Sequence, residues 1–316
     1  MLEHYSSTGD ELVEKRVRST RDKLHVVAAK VGTGRRLTLL WEYRPLLMSL
    51  VRKELSVKYK NSVLGFMWSM LNPALTLVIY YFVFQKVMKN GVPQFAIYLL
   101  CGLVVWNFFS TALMGATASV VGNAGIVKKV AFPREVLPLS AVGSSFVFLL
   151  LQGLVLIIAL VIAGDVPAFS FLPVLLFSIV VLVVLSSAIS IFLSAVNVYY
   201  RDTQHLLEIL LMAWFWATPV VYPYQLIAAP LARHHLLWLY FINPMTSIVV
   251  TFQRTLYTLV SPPESSPTHT IINILPNESV GWYAGELTIV LVVAVTLFFL
   301  ALRVFGRMEG NFAEEL

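Results

Sequence analysis

Phe169 to Val196 reads FSFLPVLLFSIVVLVVLSSAISIFLSAV and contains no charged side chain. A hydrocarbon core about 30 Å thick needs roughly 20 helical residues to cross it. Only helices and closed barrels satisfy their own backbone polar groups there. The stretch lacks the alternation of a barrel strand, so it reads as a membrane-crossing helix. Working outward, turn signals divide residues 63–305 into six such blocks: Val63–Phe84, Phe95–Val121, Val136–Ala163, Phe169–Val196, Leu206–Tyr222 and Trp282–Val304. The fifth is short and carries Glu208, which leaves a re-entrant hairpin open as an alternative to a crossing.

Charge favours six crossings. Thirteen of the 23 Lys and Arg precede Val63, and Lys128, Lys129, Arg134, Arg201, Arg303 and Arg307 fall on the same side if every block crosses. Only Lys86, Lys89, Arg233 and Arg254 then lie opposite, and the positive-inside rule puts both termini of a multi-pass membrane protein in the cytoplasm. The residues before Val63 carry the whole net charge of +6, which points to anionic lipid heads rather than nucleic acid. Their acidic start has no apolar core, so no signal peptide is read.

Absences narrow the chemistry. Cys101 is the single cysteine and the histidines are scattered apart from His234 and His235, so no metal site is expected. Blocks one to four hold no ionisable residue near mid-membrane, which argues against ion-driven transport. No GxxxxGK[ST] loop occurs, so any nucleotide must be hydrolysed by another polypeptide. A membrane-embedded glycosyltransferase would need paired external carboxylates, and the external loops offer only Asp165, Glu264 and Glu278.

Three segments outside the blocks look built for contact. Pro45 to Asn61 places Leu47, Val51, Leu55 and Tyr59 on one helical face, with Arg52, Lys53, Ser56 and Lys60 around it, as in a helix lying along a membrane surface. Asn123 to Glu135 is short, basic and apolar and ends near Pro133, which fits either a compact knob that presses into a groove or a positively charged loop that merely fixes topology. Between Pro223 and Val280, Met245, Ile248, Val249, Phe252, Leu256 and Leu259 form one stripe, which predicts an amphipathic helix resting on the outer leaflet or covering the exit of a pathway. Trp68, Tyr80, Tyr81 and Tyr98 fit an interfacial belt. Trp106, Trp214 and Trp216 fall deeper, where a ring suits either helix packing or a partly wet surface that stacks on sugar. Ser186, Ser190 and Ser194, and Gly115 with Ser119, mark close helix packing.

Lys60-Asn-Ser-Val-Leu-Gly-Phe-Met-Trp68-Ser-Met-Leu-Asn-Pro73 resembles the start of the first span in ABC-2 type permeases that export polysaccharides, including O-antigen and teichoic acid exporters. Lys128-Lys129-Val-Ala-Phe-Pro133-Arg-Glu-Val-Leu-Pro138 resembles the family's loop after span two. So do Tyr200-Arg-Asp202, Thr218-Pro219-Val-Val-Tyr222 and Asn243-Pro244, and the likeness runs from about Pro45 to Val304.

The resemblance implies an all-α membrane protein with six transmembrane helices, an amphipathic interface helix (45–62) and external gate helices before the last span. Residues 1–44 are an N-terminal extension, 63–305 the transmembrane domain and 306–316 a cytoplasmic tail. It further implies a homodimer bound to two cytoplasmic ATPase subunits, which hold ATP and Mg, exporting a glycan on a polyprenyl diphosphate carrier. This chain would need no cofactor and catalyse nothing itself. Trp68, Tyr80, Phe84, Trp106, Phe109, Trp214 and Trp216 would line the channel. Tyr59, Lys60, Lys128, Lys129, Phe132, Pro133 and Arg134 would couple to the ATPase, and Met245, Ile248, Phe252 and Leu256 would form the external gate. An exporter of lipid or drug, or a scaffold for envelope synthesis, are the alternatives.

Overall fold

The computed structural model describes residues 33–59, 67–88, 92–164, 166–258 and 274–316, and every regular element among them is helical. In chain order these are α1 (Thr33–Glu42), α2 (Arg44–Tyr59), α3 (Met67–Tyr81, continued by a π-helical stretch Phe82–Val87), α4 (Phe95–Gly122), α5 (Ala124–Val127), α6 (Val136–Ala163), α7 (Leu172–Tyr199), α8 (Thr203–Ala217), α9 (Tyr224–Arg233), α10 (Leu237–Phe241), α11 (Pro244–Leu256), α12 (Val280–Met308) and α13 (Phe312–Glu315). Residues 1–32 of the predicted 1–44 extension, Lys60 and the side chains of Tyr59 and Trp68 lie outside the described residues.

Among the described residues four segments are long and apolar enough to cross a bilayer: α4, α6, α7 with the 3-10 turn before it, and α12. Local chemistry sets their ends. Asn123 closes α4 by donating its side-chain N–H to the Ser119 carbonyl at 2.8 Å. Gly164, at φ 75°, ends α6 in the left-handed conformation that favours glycine. Pro173 sits in the first turn of α7, where its missing N–H costs nothing.

α4 is the spine. Of its most apolar window 72% is buried, against 22% for α6, whose outer face exposes Leu154, Ile157, Ile158, Val161 and Ile162. That face suits lipid tails. α4 packs against α3, α6, α7, α8 and α11, and α7 packs most extensively on α12. Ser186, Ser190 and Ser194 are all buried on α7, and Gly115 brings α4 against Ala141 of α6, as the small-residue pattern predicts. Asn197 ties α7 to α4 by donating to the Thr117 carbonyl at 2.9 Å.

The bundle has two ends. At one, Tyr199 at the close of α7 donates to the Met308 carbonyl at 2.8 Å, and Arg36 of α1 pairs with Glu135 before α6 and Glu309 after α12. At the other, the Tyr257 hydroxyl donates to the Pro93 carbonyl ahead of α4 at 2.7 Å, and the Ala168 N–H to the Thr255 carbonyl at 2.9 Å. So α1, the loop between α4 and α6, the α7–α8 turn and the C-terminal residues share one end.

The predicted surface helix exists as α2, docked across the start of α6. Its buried face holds Leu50 and Val51. Glu54, on the same face, accepts from the Ser140 hydroxyl at 3.0 Å and the Ser144 hydroxyl at 2.8 Å. A Cβ on Gly143 would lie 2.9 Å from Val51 Cγ2, whereas nothing lies within 4 Å of one on Gly153 of the same helix. Gly143→Val should therefore lower stability by about 2 kcal/mol through overpacking. Gly153→Val should leave it unchanged. Thermal unfolding of the detergent-purified protein checks this, and equal midpoints would reject the seating of α2 on Gly143.

Candidate functional site

The fifth apolar block does not run as one helix. α8 ends at Ala217, and the chain continues unwound through Thr218–Pro223. Trp214 of α8 packs edge-on against Phe109 at 5.0 Å, halfway along α4, while the Tyr222 carbonyl meets the Tyr98 hydroxyl in the first turn of α4 at 2.6 Å. The block thus passes from mid-depth to the far end without helical hydrogen bonds. Bare carbonyls at this depth are tolerated only when buried in protein and given donors. Both conditions hold. Thr218, Val220 and Val221 are fully buried, and the Pro219 carbonyl accepts from Gln253 Nε2 at 3.0 Å and, at 3.3 Å, from the Tyr98 hydroxyl. Gly102 lets the unwound chain approach: a Cβ there would sit 3.1 Å from Val220 Cγ1.

α11 begins at this break. Asn243 Oδ1 accepts from Trp214 Nε1 at 2.7 Å and caps α11 through the Met245 N–H at 3.1 Å. Asn243 Nδ2 donates to the Thr218 hydroxyl at 2.9 Å. The helix starts roughly 20 Å along α4, at 1.5 Å per residue, and returns to the end where Tyr257 meets Pro93. The expectation of a helix resting on the outer leaflet is corrected. Met245, Ile248, Phe252 and Leu256 are buried, and so are Thr246, Thr251, Gln253 and Thr255 on the other side, because α4, α7 and α12 enclose the helix. Thr251 and Thr255 return their hydroxyls to the Ser247 and Thr251 carbonyls, which masks their polarity. The sequence stripe was a true helical signal, but its polar side faces protein rather than water.

The predicted channel residues other than Trp68 are joined in one column of rings. Tyr80 stands 6.2 Å from Phe84 and 6.1 Å from Phe215; Trp106 stands 5.7 Å from Phe109 and 5.4 Å from Phe215. Phe215, unnamed in the sequence reading, is the hub between Tyr80, Trp106 and Trp216. Three consecutive aromatics on a helix point in three directions, and only packing decides which one turns inward. Trp106 and Phe109 are buried inside the chain, whereas Trp216 is 52% exposed and Tyr80, Phe84 and Trp214 are partly covered. Of the predicted lining residues whose side chains are described, Trp216 is the one that presents an open ring surface, and Trp106 and Phe109 stand behind it.

At the opposite end, Asn123 to Glu135 forms a knob held at both sides. Val127 is buried, Phe132 packs on the small core formed by α2, α6, α7 and α12, and Lys53 donates to Asn123 Oδ1 at 3.0 Å. Lys128, Lys129, Val130 and Ala131 form the exposed tip, with Phe132, Pro133 and Arg134 half-buried beneath it. Glu135 is 1% exposed and paired with Arg36. Burial pushes the Glu135 carboxyl up from its usual range and the Glu309 charge adds to that, while Arg36 opposes it. Burial also works against the Arg36 charge, but its bonds to Glu309 and Glu135 win and hold the guanidinium above its ordinary value. Arg36 was not singled out from the sequence, and nothing local marks it. Among the described residues no cluster of His, Cys, Asp and Glu is suited to a metal.

The pattern of the family described as ABC-2 type transporter matches residues 45–257. The chain is 38% identical over 221 residues to an O-antigen export system permease protein, RfbA, of Myxococcus xanthus, covering 69% of this chain and 82% of that protein. A Klebsiella pneumoniae protein of the same name is 31% identical over 208 residues, covering 66% and 78%. The polysialic acid transport protein KpsM of Escherichia coli is 22% identical over 204 residues, covering 64% and 77%.

Asn243→Ala strips the α11 cap and leaves the Trp214 N–H and Thr218 without their partner. The expected loss is about 3 kcal/mol, one part from the cap and the rest from the stranded donor. Trp214→Phe removes the donor together with its need and should cost about 1 kcal/mol. Denaturation in detergent followed by intrinsic fluorescence and circular dichroism measures both. A smaller loss for Asn243→Ala than for Trp214→Phe would show that this junction does not hold the break.

Proposed function

The chain belongs to the ABC-2 type transporter family, and we propose that it is the transmembrane subunit of an ATP-driven exporter of polysaccharide, acting as a homodimer with two ATPase subunits. The observation that carries this reading is the 38% identity to an O-antigen export permease over most of that protein's length. ATP and Mg belong to the partner subunits, and this chain contributes a path and a mechanical contact. The cargo is a glycan on a polyprenyl diphosphate carrier, moved from the cytoplasm to the outer face of the inner membrane.

The geometry supports a division of labour along the molecule. The exposed tip at Lys128–Ala131, together with Tyr59, the last residue of α2, and Lys60, the next in sequence, meets the ATPase. The end that carries it faces the cytoplasm with both termini, so α3, α4, α6, α7, the broken α8 segment and α12 make six crossings. Trp216 and the partly covered Tyr80, Phe84 and Trp214 offer rings to passing sugar, whose apolar C–H faces stack on aromatic surfaces. The α9–α11 return hairpin, held at the break by Asn243, narrows the outer mouth.

Lys128→Glu combined with Lys129→Glu should reduce glycan exported per ATP hydrolysed at least fivefold; normal export would reject the contact at the tip. Trp216→Ala should lower glycan flux severalfold with dimer yield near normal, and parallel loss of both would return this ring to a packing role. Tags on either terminus should be protected from impermeant reagents in intact cells. Labelling of the C-terminal tag from outside would mean that the broken segment does not complete a crossing.

A further inference from the structure

We infer that Arg36 is a positioning residue, locking the 123–135 knob to the foot of α12 so that a load on the knob's tip reaches the last long helix directly. What supplies the load rests on the exporter reading above; the lock itself rests on geometry.

One guanidinium engages two carboxylates from distant parts of the chain, Glu135 at the base of the knob and Glu309 just after α12. Its planar fork can hold both at once, which a lysine ammonium, a single point charge, does less well. The surroundings are shaped for it. A Cβ on Gly306 would lie 2.5 Å from Arg36 Cζ and Nη2, so the bare backbone of α12 is the surface on which the guanidinium lies. Arg134, next to Glu135, donates to the Glu309 carbonyl and lies 5.9 Å over the Phe312 ring. Phe312 in turn packs 5.3 Å from Phe305 and 6.1 Å from Tyr199. Three elements therefore close on one another: the knob, the end of α12 with its tail, and the turn after α7.

Arg36 lies on α1, ahead of the family-matched residues 45–257, and Glu309 lies beyond them. The knob lies within the matched residues, and two of the three charged partners, Arg36 and Glu309, lie outside them. A carboxylate as enclosed as Glu135 is costly without its cation. Without Arg36 the base of the knob must open or take up a proton, and its tip then yields locally rather than moving α12.

The test uses the full chain assembled with its ATPase in lipid nanodiscs. Amide hydrogen exchange, which reports local opening, is followed in residues 124–136 and 305–313, and glycan export per ATP hydrolysed is measured on the same preparations. Arg36→Gln should speed exchange in both segments about tenfold and cut export per ATP severalfold, with α4 and α7 exchange unchanged. Arg36→Lys should recover part of both, and Gly306→Ala, which crowds an intact Arg36, should fall between. Exchange in the knob that does not respond to Arg36→Gln overturns the lock. Faster exchange with undiminished export per ATP overturns the transmission. If the wild-type assembly exports no glycan, the proposed function fails, and the exchange measurement still decides the lock by itself.

Discussion

A membrane interior has no water to accept or donate a hydrogen bond, and this constraint organises the structure. Four long helices meet it in the ordinary way, by internal pairing. The unwound stretch Thr218–Pro223 cannot, and it survives because Tyr98 and Gln253 reach its carbonyls from α4 and α11 while Asn243 ties its start to Trp214. The break is thus a built joint. It draws α11 into the bundle, because the same residues that satisfy the break also cap and seat that helix.

That arrangement gives the molecule two differently constructed ends. The end with the break is closed by neutral hydrogen bonds and packed rings, including Tyr98 edge-on to Tyr257 at 5.3 Å. The other end is held by charge: Arg36 with Glu135 and Glu309, and Arg134 with the Glu309 carbonyl and Phe312. Between them α4 packs against α3, α6, α7, α8 and α11, so a displacement at the knob, which follows α4 directly, has a stiff route toward the break. A helix bundle that must pass motion from one end to the other benefits from such a spine.

The aromatic residues show how far pattern can go. Trp106, Trp214 and Trp216 stood out because they fell inside apolar blocks, and all three belong to one column of rings. Which of them shows a face was not readable, since Trp106 and Trp216 have the same chemistry and differ only in what packs beside them. The stripe on α11 is the mirror case. Its period was legible and its environment was not, because Thr251 and Thr255 fold their hydroxyls back on the helix and behave as apolar residues in a protein interior.

By itself the sequence determined that the chain is helical and membrane-embedded, where its long blocks lie, and that residues 123–135 are a basic segment between two of them. Length, charge placement and small-residue spacing are local quantities that the chain carries openly. The tertiary structure alone decided that the fifth block breaks, that α11 returns to mid-depth, and that Arg36 meets Glu135 and Glu309 across 99 and 273 positions of chain. Those outcomes depend on which distant group arrives to satisfy a buried carbonyl or carboxylate, and no window of sequence contains both partners.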